Sequence, residues 1–340
     1  MPSPTLSQEK IEQIRELRKQ GIPTERIAEM TGTSNGSAAK YSRDIRVVAD
    51  RTPVLVESDK KTAEFDWEEW CEWIEDGQEL QKKASKNHTQ ANIRLGDGTK
   101  PVILFQLGDT HIGSWGADYA LLRSITKEIC ETEGVYVALM GDLIEMAINM
   151  RGVTEVMGQV LSPSNQMDFL RSWLKRIMPK VAFSCWGNHE TDREEKFSGL
   201  NSVRDMFAGE AVYFGGIGQP DIHVGEQTYR AAASHKFRGA SIFDANFGPK
   251  RYMRMESSDR EIGFQADLHR PAISQYYESG TVRLAMTSST LQLKSQYAER
   301  YFSIFTLPIF PCVVLRHDRH EFIPFWNLQA ALNYVRGDAE

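Results

Sequence analysis

Apolar side chains recur at helical spacing near the start of the chain, where Ile11, Ile14 and Leu17 lie three residues apart. This spacing predicts a helix with one buried face. A glycine and a proline follow it and would end it, and a second short helix comes next. Ser34 is a natural N-cap for a third helix. The pattern therefore predicts three short helices within residues 7–46.

The third helix would bury Ala38, Tyr41 and Ile45 and present a polar face to solvent. The residues of that face are Asn35, Ser37, Lys40 and Arg43. The small and turn residues of this region resemble the helix-turn-helix of resolvase-type DNA-binding modules. The resemblance rests on Ile27, Ala28, Gly32, Ser34 and Ala38. It implies phosphate contacts by the polar face. The alternative is a three-helix packing or dimerisation module.

Residues 47–65 show no clear period, which is typical of a linker. Asp66 then precedes a predicted helix, and Glu69 stands where a capping box needs it. One stripe of this helix is apolar and consists of Trp67, Trp70, Trp73, Ile74 and Leu80. Such aromatic side chains could stack on bases, but the acidic residues between them would repel a phosphate backbone. We therefore favour docking of this stripe against the large domain that follows.

From about Pro101 the pattern changes to apolar strands that alternate with helices, which predicts a layered α/β domain. Strands are predicted over 102–107, 135–140 and 181–185, and helices over 118–130 and 166–177. Two further strands, over 312–316 and 321–324, are expected in a second sheet layer. We see no chemistry in residues 287–290. The predicted domains are 1–50, 51–99 and 100–340.

Polar residues stand at the tips of the three strands, where ligand sites of α/β sheets lie. The tips read Gly108-Asp109-Thr110-His111, Gly141-Asp142 and Gly187-Asn188-His189-Glu190. The glycines would let the backbone turn sharply, so that the polar side chains enter a shared cleft. Two further blocks follow along the chain, Ser234-His235 and Asp267-Leu268-His269.

These blocks, in this order, resemble the calcineurin-like metallophosphoesterase superfamily, whose pattern is D-x-H, GD, GNH followed by Glu or Asp, a lone His, and GHxH. The match covers 101 to about 330. It implies a four-layer αββα sandwich, preceded here by a small all-α N-terminal module. It also implies two divalent metal ions about 3.5 to 4 Å apart that clamp the oxygens of a phosphodiester. Carboxylate, amide and imidazole ligands suit Mn²⁺ best, with Fe²⁺, Zn²⁺ or Mg²⁺ as alternatives.

The resemblance also implies roles for individual residues. The ligands of the first metal ion would be Asp109, His111 and His269, those of the second Asn188, His235 and Asp267, and Asp142 would bridge both. His189 would protonate the leaving oxygen or hold the scissile phosphate, a task suited to a group that titrates near pH 7. Glu190 is the adjacent carboxylate that could orient it.

Asp267 departs from the family pattern, because it stands where the first histidine of the last motif belongs. It either ligates, which would favour a hard ion such as Mn²⁺, or misses the metal and leaves the second site weak. His235 has a rival in His223, although a probable strand around His223 favours a structural role for that residue. Lys236 and Arg238 could bind flanking phosphates or belong to a solvated basic loop.

Composition limits these hypotheses. The net charge of −6 gives no global positive field for nucleic acid, so DNA binding needs a local patch or bound cations. The four cysteines form no CxxC, and no apolar run approaches the ~18 residues that span a bilayer. We expect a cytoplasmic protein without membrane contact, and the sequence leaves homo-oligomer formation open.

The sequence thus predicts a metal-dependent phosphoesterase that hydrolyses phosphodiester bonds by a two-metal mechanism, with DNA as the first choice of substrate. The arrangement looks like phage- or mobile-element-encoded members of the superfamily. One alternative is a phosphodiesterase or phosphatase for small nucleotides or phosphoproteins. The other is a DNA-binding regulator with a degenerate hydrolase domain.

Overall fold

The computed structural model describes residues 6–19, 22–45, 66–84, 89–147, 158–196, 200–239, 241–293 and 308–337. The chain divides into two compact units, Met1–Ala84 and Ser85–Glu340. Among the described residues, no helix is both long and apolar enough to cross a membrane.

The described part of the first unit is helical. Its helices are α1 (Gln8–Lys19), α2 (Thr24–Thr31), α3 (Asn35–Tyr41) and α4 (Trp67–Ala84). Ile14, Ile27 and Ala38 are fully buried and contribute one residue each from α1, α2 and α3 to a small core. The three short helices expected near the N-terminus are therefore present and share one apolar core.

Two helix starts of the first unit follow the sequence signals. The Ser34 side chain caps α3 by accepting a hydrogen bond from the backbone N–H of Ser37. Asp66 and Glu69 form the reciprocal capping box of α4, at 2.9 and 3.0 Å. On α4, Trp67 is 75% exposed, so the end of the apolar stripe faces solvent.

The polar face predicted for the third helix is placed as follows. Asn35, Lys40 and Arg43 are exposed, whereas Ser37 is half-buried and accepts a hydrogen bond from the Ser34 hydroxyl. Helix α3 ends at Tyr41, so Arg43 lies in the turn after it. Lys40 lies over the Tyr41 ring, 5.3 Å from its centroid.

The second unit contains five longer helices and two six-stranded sheets in its described residues. The helices are α5 (Tyr119–Glu131), α6 (Pro163–Ile177), α7 (Ser202–Phe207), α8 (Phe247–Met255) and α9 (Leu328–Gly337). The strands are β1 (Gln90–Arg94), β2 (Val102–Leu107), β3 (Val135–Leu139), β4 (Val181–Cys185), β5 (Val212–Phe214), β6 (Gln219–Val224), β7 (Gln227–Ser234), β8 (Ile262–Gln265), β9 (Ala272–Glu278), β10 (Thr281–Thr287), β11 (Cys312–Leu315) and β12 (Phe322–Phe325).

The first sheet has the strand order β12-β11-β2-β3-β4-β5, and the second has the order β1-β6-β7-β8-β10-β9. Strands β2 to β5 are parallel, so their carboxyl ends meet at one sheet edge. The prediction that β11 and β12 belong to a second layer is wrong, because β11 pairs antiparallel with β2 and extends the first sheet. Strand β1 is missing from the prediction, and it pairs with β6 of the second sheet.

Alternate residues of β2 enter two different cores. Ile103, Phe105 and Leu107 pack in one cluster with residues of α5, α6 and α9. Val102 and Leu104 pack in another cluster with β6, β7 and β8 of the second sheet. Because strand side chains alternate between faces, the first sheet is covered by helices on one side and by the second sheet on the other. The unit is therefore a mixed α/β domain.

Candidate metal centre

The first group of polar side chains lies at the carboxyl end of β2 and in the segment after β8. It consists of Asp109, His111 and His269. The Nε2 atoms of His111 and His269 lie 3.2 Å apart, and Nε2 of His269 lies 3.1 Å from Oδ1 of Asp109. Asp109 and His111 are buried, whereas the side chain of His269 is 31% exposed. The three residues predicted to hold the first metal ion thus direct their ligand atoms to one point.

A second group surrounds Asp142, at the tip of β3. Its Oδ2 atom lies 3.3 Å from Nε2 of His235 and 3.7 Å from Nε2 of His189. Nε2 of His235 also lies 3.0 Å from the amide oxygen of Asn188. Asp142 belongs to two of the three groups of His and Asp whose ligand atoms all lie within 4.8 Å of one another. Asp109 and His111 also belong to two groups each, so these three residues link the cluster.

His223, the rival of His235, lies away from this cluster. Its ring bonds the Thr228 hydroxyl at 2.9 Å and the Asn92 amide oxygen at 3.0 Å, both on neighbouring strands. His235 is fully buried and contacts Asp142 instead. His223 therefore has a structural role between strands, and His235 belongs to the site.

The backbone at the site is strained. Seven described non-glycine residues have a positive φ, and five of them are predicted metal ligands. These five are Asp109 (51°), His111 (45°), Asp142 (50°), Asp267 (65°) and His269 (53°). A left-handed backbone costs a non-glycine residue of the order of 1 kcal/mol, and such residues concentrate at functional sites. The fold therefore holds these side chains in place against a local cost.

The glycines before the ligands serve mainly to leave space. Gly141 has a φ of 84°, but neither Gly108 nor Gly187 has a positive φ. A Cβ on Gly108 would lie 2.9 Å from the Met140 Cβ and 3.0 Å from the Ala266 Cβ, and a Cβ on Gly187 would clash with the Asp142 backbone. The predicted sharp turn thus holds for Gly141 alone, and the other two allow adjacent chain segments to approach closely.

Replacing Gly141 with Ala is expected to destabilise the second unit strongly. The new Cβ would clash with the Trp186 carbonyl and would also occupy a left-handed backbone. Gly209→Ala is the matched control, because Gly209 has a φ of 80° but no atom within 4 Å of an added Cβ. Urea unfolding should show a loss about 2 kcal/mol larger for Gly141→Ala. Equal losses would show that the close packing at Gly141 is unimportant.

Glu145 is a site residue that the sequence analysis missed. Nδ1 of His111 donates a hydrogen bond to its carboxylate at 2.9 Å, which leaves Nε2 of His111 free to ligate. Nδ1 of His235 likewise donates to the Met140 carbonyl at 2.7 Å. Both imidazoles are thereby fixed with Nε2 toward the cluster. The only sequence signal for Glu145 is its position three residues after Asp142.

Glu190 has a role other than the expected one. Its carboxylate accepts hydrogen bonds from the backbone N–H groups of Asp142, at 3.2 Å, and of Leu143, at 2.6 Å. It therefore holds the loop that carries Asp142, whereas Nδ1 of the His189 ring bonds the Glu145 carbonyl instead. Burial raises the pKa of Glu190, and the Asp142 charge adds to this effect.

His189 is held by groups on both sides of its ring. Nδ1 bonds the Glu145 carbonyl at 2.9 Å, and the Arg193 guanidinium lies 3.1 Å from Nε2. Burial lowers the pKa of His189 to about 4, and Asp142 offsets this only in part. The ring is therefore neutral at pH 7, in contrast to the expected titration near pH 7. The neutral ring then carries its proton on Nδ1, which donates to the Glu145 carbonyl, while Nε2 accepts from the Arg193 guanidinium.

The cluster concentrates negative charge. Burial opposes ionisation of Asp142, but His189 and His235 outweigh it and keep the pKa of Asp142 well below its usual value. Burial opposes ionisation of Glu145 as well, yet His111 and other cations lower its pKa to about 2. For His235, the Asp142 charge overcomes burial and raises the pKa to about 10. Buried carboxylates of this kind favour a bound cation.

Asp267 lies at the cluster and is paired with a lysine. Its carboxylate lies 2.9 Å from Nζ of Lys236 and 3.9 Å from Nε2 of His235. Its backbone N–H donates to Asp109 at 3.1 Å. Lys236 and Arg238 are both exposed. The ion pair places the Asp267 carboxylate beside the second group, and its ligation of a metal stays a prediction.

The segment Thr287 to Thr290, where no chemistry was expected, packs under the cluster and hydrogen-bonds the backbone of Asp109. All four residues are buried, and the Thr290 hydroxyl donates to the Asp109 carbonyl at 2.8 Å. The Gln292 side chain next to it donates to Glu145 at 3.2 Å. These contacts fix the backbone of Asp109 and the Glu145 carboxylate that bonds the His111 ring.

Comparisons with known proteins add little to this geometry. No protein-family model matches the chain, and no curated protein matches it. Three solved structures illustrate the weak structural matches. A predicted phosphoesterase from Streptococcus pneumoniae TIGR4 has a TM-score of 0.31 and 14% identity, over 67% of this chain and 99% of that one. A metallophosphoesterase from Sphaerobacter thermophilus has a TM-score of 0.35 and 9% identity, over 70% of this chain and 94% of that one. Vps29 from Chaetomium thermophilum has a TM-score of 0.35 and 12% identity, over 66% of this chain and 96% of that one. At these TM-scores the likeness assigns neither a family nor a function to the chain.

Proposed function

We propose that the chain is a metal-dependent phosphoesterase of the calcineurin-like type that its motifs resemble, with two metal ions and a phosphodiester substrate. The observation that carries the proposal is the convergence of Asp109, His111, Asp142, His235 and His269 on one buried cluster. The two packed sheets, with helices on the outer face of the first and α8 packed on the second, are what a four-layer αββα sandwich requires.

The donor set fits divalent cations. It combines carboxylate oxygens, the amide oxygen of Asn188 and imidazole nitrogens whose other nitrogens are already hydrogen-bonded. Asp109, His111 and His269 would hold one ion, Asn188, His235 and Asp267 the other, and Asp142 would contact both. Bound divalent cations would polarise the phosphate oxygens and activate a water molecule. The preference for Mn²⁺ follows from the mixture of oxygen and nitrogen donors.

The chain's own groups would orient the substrate. The His189 ring and the Arg193 guanidinium are adjacent, and Arg193 can hold an anionic oxygen of the phosphate. Because His189 is neutral in this environment, we propose that it positions the scissile phosphate. Protonation of the leaving oxygen is the second assignment, and it requires a shift of the proton to Nε2.

Metal-dependent hydrolysis of bis-p-nitrophenyl phosphate is the experiment that tests this function. The purified full-length protein should hydrolyse the reporter with Mn²⁺, lose activity in a chelator and regain it when Mn²⁺ is restored. A protein that binds no divalent metal, or that hydrolyses the reporter with none of Mn²⁺, Fe²⁺, Zn²⁺ and Mg²⁺, would contradict the proposal and favour a regulator with a degenerate hydrolase domain.

We further propose DNA as the substrate, recruited by the helices of the first unit. Replacing Lys40 and Arg43 together with Ala should weaken duplex DNA binding, because both side chains are exposed cations at the end of α3. The salt dependence should fall by a slope of about 2 if both contact phosphates. Fluorescence anisotropy at several salt concentrations measures both quantities.

The double variant Lys19→Ala and Arg26→Ala is the matched control, because these two exposed cations lie on α1 and α2 and pair with Glu16 and Glu29. It should bind DNA like the natural sequence. If both double variants lose the same affinity, only general charge matters, and the helix-turn-helix assignment fails.

A further inference from the structure

A loop that follows the predicted ligand His235 exposes two large apolar side chains. Phe243 is 91% exposed and Ile242 is 78% exposed. Two adjacent large apolar side chains left in water form a small apolar patch of the kind that marks interaction sites. The loop also carries the exposed Arg238 before these residues.

The loop is fastened on both sides of Phe243. The Ser241 hydroxyl accepts hydrogen bonds from the backbone N–H groups of Phe243, at 3.2 Å, and Asp244, at 3.3 Å. Asp244 is neutralised by Lys250 at 3.1 Å. Asn246 accepts a hydrogen bond from the buried Thr287 hydroxyl at 2.7 Å, which ties the loop to β10. The Phe243 ring is therefore presented to solvent from an anchored backbone.

The loop lies beside the metal cluster. Arg270 directly follows His269, and its guanidinium lies 3.4 Å from the carbonyl oxygen of Ile242. Both terminal nitrogens of the guanidinium donate to this oxygen, at 3.4 and 3.5 Å, and so connect the residue after a predicted ligand to the residue before Phe243. Arg270 is exposed, so an exposed arginine next to His269 is joined to the chain segment that carries the exposed Phe243 ring.

We propose that Phe243 and Arg270 bind single-stranded DNA, with a base stacked on the Phe243 ring and a backbone phosphate on the Arg270 guanidinium. The inference rests on the proposed function, since it places this strand next to the phosphodiester at the metal cluster. Aromatic faces combined with nearby cations are how proteins hold single strands. In a duplex the base faces are covered by their neighbours, so stacking on Phe243 selects a single-stranded or frayed substrate.

Binding of a short fluorescent oligothymidylate to the full-length protein tests the proposal. Asp142→Asn serves as the common background, so that the DNA is not cleaved during titration. Phe243→Ala should weaken binding about tenfold, and Phe243→Trp should preserve it. Tyr277→Ala is the matched control, because Tyr277 is an aromatic residue 74% exposed on β9, and it should leave affinity unchanged. Because Phe243 is so exposed, thermal melting should be the same for all three variants.

An oligonucleotide with abasic sites separates stacking from charge. On this strand Phe243→Ala should bind as well as its parent, whereas Arg270→Ala should weaken both strands and reduce the salt slope by about 0.7. The proposal is overturned if Phe243→Ala has no effect on oligothymidylate, or if it weakens the abasic strand equally. Reporter hydrolysis by the natural sequence decides the proposed function separately, so the two failures are distinguishable.

Discussion

The Asp142→Asn variant is expected to lose at least a thousandfold in the rate of bis-p-nitrophenyl phosphate hydrolysis, which corresponds to about 4 kcal/mol. Asp142 belongs to two of the three candidate ligand groups, as Asp109 and His111 also do. The amide removes its charge but keeps an oxygen that can still accept the hydrogen bond from the His189 backbone, at 2.9 Å in the structure. The fold should therefore survive while metal binding fails.

Metal content by mass spectrometry and the hydrolysis rate should fall together in this variant. Asp168→Asn is the matched control, because Asp168 is an exposed carboxylate on α6 that pairs with Arg171. It should keep full activity. Activity of Asp142→Asn within threefold of the natural sequence would place the reaction elsewhere in the molecule.

Glu145→Gln should weaken Mn²⁺ binding by about 10- to 100-fold, the usual effect of removing a carboxylate that orients a ligating histidine. Glu145 accepts the Nδ1 hydrogen bond of His111, and its low pKa of about 2 means that the full negative charge is present at neutral pH. The glutamine keeps the shape of the side chain and removes the charge. The metal concentration for half-maximal activity should rise in proportion.

A high Mn²⁺ concentration should restore most of the rate of Glu145→Gln, which a general loss of structure would not allow. Glu133→Gln is the control, since Glu133 is exposed and pairs with Lys100 at the surface. Unchanged metal affinity in Glu145→Gln would mean that the His111 ring is held in place by packing alone.

Several elements were predictable because their signals are local. The predicted strands 102–107 and 181–185 coincide with β2 and β4, since both are short apolar runs that end at a glycine or polar block. The helix caps at Ser34 and Asp66 depend on residues three positions away, so the sequence predicts them as well. The positions of the polar residues directly after buried strands were also predictable, and the metal ligands assigned among them by resemblance stay a prediction.

Other features depend on residues far apart in the chain. β11 has the same apolar character in either sheet, and its antiparallel pairing with β2 is set by long-range packing. Glu145 gains its role from His111, 34 positions away, and Glu190 gains its role from the loop after β3. The environment that keeps His189 neutral is built from three segments, so its titration could not be read from its sequence neighbours.

The sequence by itself determined that short apolar strands precede Asp109, Asp142 and Asn188, because apolar runs, helix caps and turn residues act within a few positions. The tertiary structure alone decided that His235 and not His223 joins the cluster, that Lys236 neutralises Asp267, and that Arg270 contacts the carbonyl of Ile242. Those outcomes depend on which distant surfaces are buried together, and burial is a property of the packed chain.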